Sequence, residues 1–216
     1  MELKNENELG DFKLGKPALV CRWRLANGRL PLANRHLRAL KARAKKEALV
    51  TDRLVAWAKQ HIEWTLADGS AEHPDGVLML VVDEAGQAAM TVGPYTPFRY
   101  RTAGKLALRA QDSAAEGEWT GIAPELLWAV RGETLVCAAG RDERLSGTAS
   151  LIADLARTLG VNVVRDRDLL ISALSGEKGR GEVFLSSDEH GIVVASDAGG
   201  RTAEKYRDSY LTLMSK

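Results

Sequence analysis

Residues 126–160 read LLWAVRGETLVCAAGRDERLSGTASLIADLARTLG, and this stretch decides the fold. Its first half is a hairpin: strand-forming runs at 125–130 and 134–138 flank the turn pair Arg131-Gly132. Its second half is a helix over 147–159, with Leu151, Ile152, Leu155 and Leu159 on one face. Gly160 then supplies the left-handed residue that commonly ends a helix. A hairpin running into an amphipathic helix predicts an α+β fold.

Downstream of it, residues 161–164, 182–186 and 192–195 read as strands, with a short helix over 168–174 and a closing helix from about 202 to 214. Upstream, residues 18–25 read as a strand ending at the turn Asn27-Gly28. Leu32, His36, Leu40 and Ala44 then recur every four residues, which predicts a helix to about Leu49 crowded with Arg35, Arg38, Lys41, Arg43, Lys45 and Lys46. Thr51-Asp52 caps a second helix that Asp68-Gly69 stops, and residues 77–82 and 88–92 form a second hairpin. The segment 102–119 carries no decisive pattern. Pro94 and Pro97 mark a linker over 93–101, so we divide the chain into a polar leader (1–16), a small N-terminal α+β domain (17–95) and a C-terminal α+β domain (96–216).

Composition narrows the function classes. The 216 residues are 45% hydrophobic, ample for a buried core, and 30 Lys and Arg against 29 Asp and Glu leave a formal charge of +1. No overall field therefore favours nucleic acid or an acidic membrane. The two cysteines, Cys21 and Cys137, lie in apolar strand-like runs, as ordinary buried thiols do, which suits a reducing compartment. With no apolar leader and no run of about 20 apolar residues, the expected location is the cytoplasm. There is no internal repeat.

Several ordered motifs carry a family resemblance. NGRLPLANRHL at 27–37 looks like a strand, an NG-type turn and an "HLxRL" helix. LLWAVRGETLV at 126–136 is similar to an "NLFxVxDGxLxTP" hairpin, LSGTAS at 145–150 to "LxGITR", and GEVFLSS at 181–187 to "DEVFLTGT". Together they resemble the class IV aminotransferases, the family of branched-chain and D-amino-acid aminotransferases and aminodeoxychorismate lyases, with this chain a shortened and divergent member. The resemblance implies the two-domain class IV aminotransferase-like (D-amino-acid aminotransferase-like) fold in truncated form, a homodimer with Trp57 and Trp64 as interface candidates, and pyridoxal phosphate (PLP) as cofactor.

Such a cofactor needs a lysine amine, an anion-binding cup and an acid beside the pyridine nitrogen. By resemblance, Lys105 is the catalytic lysine candidate. Cofactor-binding candidates are Arg38 on the first helix, Gly147 and Thr148 at the start of the "GITR" helix, where aligned amides favour an anion, and the hydroxyls of Ser186 and Ser187. The departures are specific: the family's cup arginine falls on Ala39, its last-strand threonine on Asp188, whose carboxylate would repel a phosphate, and its pyridine acid on Gly121, with Glu116 or Glu118 reachable only by a shifted alignment.

Three readings follow. The first is a class IV-like protein with a degenerate or altered cofactor site, a scaffold homodimer or a binder of a small ligand other than PLP. The second is an active PLP-dependent aminotransferase or aminodeoxychorismate lyase-type enzyme acting on an amino acid, an oxo acid or a chorismate-derived ligand. The third is a nucleic-acid-binding module built on the basic helix 35–46, against which a solvated helix face is the plainer account. His36, His61, His73 and His190 share no metal-ligand spacing, so no metal is expected. Ser186-Ser187-Asp188 beside His190 lacks a nucleophile elbow.

Overall fold

The computed structural model describes residues 13–43, 51–69, 72–176 and 181–215. The leader up to residue 12 and the predicted helical continuation over 44–49 lie outside the described residues. A three-stranded antiparallel sheet is built from β1 (Pro17–Arg24), β2 (Val77–Asp83) and β3 (Ala88–Gly93), with β2 central. Alternation along β1 sends Leu19, Cys21 and Trp23 to one face. There they meet Leu37 and Leu40 of α1 (Ala33–Arg43) and Leu54, Ala58 and Ile62 of α2 (Asp52–Gly69). After β1 the chain reverses through Asn27 (φ 50°) and Gly28 (φ 71°), the positive-φ pair the sequence marks as a turn.

The second sheet has the order β6-β5-β4-β7-β8, drawn from β4 (Leu126–Arg131), β5 (Thr134–Cys137), β6 (Asn162–Arg165), β7 (Glu182–Ser187) and β8 (Gly191–Val194). Helices cover both faces. Leu126 and Trp128 of β4 point toward α4 (Gly147–Thr158) and α6 (Arg201–Met214), whereas Leu127 and Ala129 point toward α3 (Ala103–Thr120) and α5 (Asp168–Leu174). Burial on both faces is why the strand reads as a continuous apolar run instead of alternating. β5 and β6 pair in parallel, with α4 as the crossover between them.

The segment 102–119, undecided from sequence, is the long helix α3. Thr102 caps it, and Ala103, Leu106, Ala107 and Ala110 form its buried stripe. Gly121 ends it at φ 63°, where an added Cβ would stand 3.0 Å from the Ala18 carbonyl oxygen.

Candidate functional site

The two sheets face each other across a crevice lined by β1, α1, α3, the approach to β4 and the turn between β7 and β8. Its backbone seam is the Arg24 amide donating to the Asp188 carbonyl at 2.9 Å. Across it Arg22 donates to Glu116 at 2.7 Å and lies 3.9 Å from Glu189, while Arg109 donates to Glu125 at 2.8 Å. Arg24 stacks over the Tyr95 ring, 3.3 Å from its centroid. Between Arg22, Arg109, Glu125 and Glu189 is a cavity of about 20 Å³.

At the N-terminus of α4 the free amides already have acceptors. The Asp188 carboxylate accepts from the Thr148 amide at 2.7 Å and the Gly147 amide at 3.3 Å, and the Ser146 hydroxyl accepts from Ala149 at 3.2 Å. His36, buried on α1, puts Nδ1 3.4 Å from the same carboxylate. Gly147 permits this approach, since an added Cβ would sit 2.4 Å from His36 Nδ1. Burial opposes ionisation of Asp188, but attraction to His36 and the Thr148 amide outweigh it and hold the carboxyl well below the usual carboxylate range. An internal carboxylate thus sits where the resemblance places the phosphate cup.

Opposite this pair, burial raises the carboxyl pKa of Glu125 despite the Arg109 hydrogen bond. Burial, with Arg109, Arg24 and Arg22 adding to it, pushes the His190 imidazole down to about 4. His190 lies against Phe98, with ring centroids 4.1 Å apart, and its Nδ1 is 3.4 Å from the Tyr95 hydroxyl.

The residues singled out from sequence fall in different places. Gly147, Thr148 and Ser187 reach the crevice or its edge, and the Ser187 hydroxyl accepts from the Glu189 and His190 amides, which shapes the β7–β8 turn. Ser186 is turned into the sheet, where its hydroxyl accepts from Trp128 Nε1 at 2.8 Å. Lys105 is exposed on the first turn of α3 and does not line the crevice. Arg38 is exposed and donates to the Asn34 carbonyl one turn earlier. Arg35 of the basic helix instead ties α1 to α4 through Ser150 and Asp154. Trp64 is exposed and half-buried Trp57 stacks on His61. Arg22, Arg109, Glu125 and Glu189 were not picked out from sequence, and His190 was weighed and set aside, because the groups come from four segments and no spacing joins those segments. On the far side of Glu125, a groove of about 1080 Å³ runs between α3 and the β5–α4 loop, lined by small residues such as Ala110, Ala114 and Gly117 and by charged ones, among them Glu118, Arg141, Glu143 and Arg167.

No family model matches the sequence, and no curated protein matches it. Solved structures do. A Mycobacterium tuberculosis hypothetical aminotransferase in its PLP-bound form superposes with a TM-score of 0.64 at 12% identity, over 96% of this chain and 95% of that one. The chain has the class IV aminotransferase fold. The 4-amino-4-deoxychorismate lyase of Pseudomonas aeruginosa matches at TM-score 0.56 and 20% identity, over 88% of each chain. The branched-chain aminotransferase of Escherichia coli matches at 0.58 and 13%, over 95% of this chain and 90% of that one. Among the described residues no helix is long and apolar enough to cross a membrane.

Proposed function

We propose that this chain keeps the class IV fold without holding PLP, and serves as a cytoplasmic homodimeric scaffold or a binder of a small ligand other than the coenzyme. One observation carries the reading: the Asp188 carboxylate takes the Gly147 and Thr148 amides, the donors a phosphate would need. A phosphate dianion entering there would meet a buried like charge. On this reading the residues present at the start of α4 do not fit the coenzyme's phosphate.

Purified protein titrated with PLP tests this by visible absorbance and by co-elution on gel filtration. The expected result is no saturable binding. The variant Asp188→Ala, which frees the two amides, is expected to gain affinity for inorganic phosphate. Saturable PLP binding by the unaltered chain would sink the reading. Lys105→Ala then shows whether Lys105 holds the coenzyme, and pyruvate release would separate a lyase from a transaminase. The fold match to a lyase over 88% of its length is what favours that enzyme reading.

A further inference from the structure

The two edges of the smaller sheet have different surroundings. β1, at one edge, carries the seam to the larger lobe: the Arg24 amide donates to the Asp188 carbonyl, and Gly121 packs against the Ala18 carbonyl. β3, at the other edge, pairs with β2, and among the described residues nothing bonds to its outer side. The features that usually blunt such an edge are missing from it. Its sequence, AAMTVG, has no charge and no proline, and its register with β2 runs from Val77–Gly93 to Val82–Ala88 without a bulge. The edges of the larger sheet are shorter: β6 and β8 have four residues each, and β6 ends on Arg165, whose guanidinium donates to loop carbonyls.

An unpaired, uncharged strand edge is a template for another strand, and the sequence of β3 suits its own copy. Ala88, Met90 and Val92 share the face that packs on the core under α2, and each is left half-buried. Ala89 and Thr91 share the opposite face. Antiparallel pairing about a two-fold axis through Met90 keeps the helix-covered faces of both copies on one side. It sets Ala88 opposite the partner's Val92 and Met90 opposite the partner's Met90, so that each half-buried side chain gains an apolar neighbour across the joint. On the other face Ala89 meets the partner's Thr91, and no like charges oppose each other anywhere along the register. We infer that β3 is an interface between two copies of this chain, which join edge to edge in one sheet twice as wide as the three-stranded one. The inference rests on the homodimeric reading and names the surface that forms it.

Sedimentation velocity of the full chain over a range of concentrations reads the oligomeric state, and a dimer is expected. Met90→Cys puts a thiol on the axis, where antiparallel partners stand about 4.5–5.5 Å apart at Cα, within the span of a disulfide. Mild oxidation is expected to trap this variant as a covalent dimer, with the buried Cys21 and Cys137 adding no background. Thr91→Cys, whose thiol lies diagonal to its own copy, is expected to cross-link several-fold less. Thr91 is exposed, so Thr91→Lys keeps the fold, checked by circular dichroism. It brings two ammonium groups together on one face and is expected to weaken the dimer at least about tenfold. A dimer that Met90→Cys does not cross-link and Thr91→Lys does not weaken would overturn this interface and leave the homodimer standing. A chain that stays monomeric would overturn both, and PLP binding is read separately from either.

Discussion

At Asp188 one side chain caps the N-terminus of α4 from the β7–β8 turn. Removing it leaves the Gly147 and Thr148 amides without an acceptor and the buried His36 without its partner, and unmet buried donors cost more than a hydrogen bond contributes. Asp188→Ala is therefore expected to lose on the order of 2–4 kcal/mol, read by urea denaturation. Asp83 supplies a second residue-scale expectation. Its carboxylate accepts from the Gly15, Ala85 and Gln87 amides, and these bonds, that of Gly15 foremost, lower its pKa. Because the folded value lies below the unfolded one of about 3.9, this contribution is full above pH ~4 and fades as pH falls. Asp83→Asn should flatten the acid limb of a stability–pH curve below pH ~4 and lower the plateau above it.

At the scale of elements, the cap of α4 can be tested alone. Ser146→Ala removes the acceptor of the Ala149 amide and should cost about 1 kcal/mol, a drop in Tm seen by calorimetry. Elements with a strong period were legible: the hairpin β4–β5 and helix α4 stand where Arg131-Gly132 and Gly160 place them, and Gly132 and Gly160 adopt φ 60° and 70°. Helix α3 was not legible, because its buried stripe is mostly alanine, which contrasts weakly with the polar face. Strand order was beyond a single sequence without the resemblance, since β4 pairs with β7 across a long separation, Leu126 with Ser186 and Val130 with Glu182. Aligned motifs single out Gly147, Thr148 and Asp188, and the structure joins the three through the Asp188 carboxylate. Arg22, Glu125 and His190 acquire meaning only when the fold brings three segments together.

For the whole molecule, the question is what couples the two sheets. Each has its own apolar core, one around Trp23 and Leu80, the other around Trp128 and Phe184. Polar connections between them are Arg22 to Glu116, the Arg24 amide to Asp188, Arg35 to Asp154 and His36 against Gly147, beside the apolar packing of Ala26 and Leu32 on the larger core. Exposed ion pairs contribute little, but the Arg22–Glu116 pair is about seven-tenths buried on both sides, where screening is weaker. Native-state hydrogen exchange reads this coupling strand by strand. In the unaltered chain, the amides of β1–β2 and β4–β7 should open with similar free energies. In Arg22→Ala/Arg35→Ala the β1–β2 amides should exchange first, with β4–β7 nearly unchanged, because that sheet keeps its own core and helix cover. Equal loss of protection in both sheets would mean that the smaller sheet cannot open without the larger, and that coupling runs through more than these polar ties.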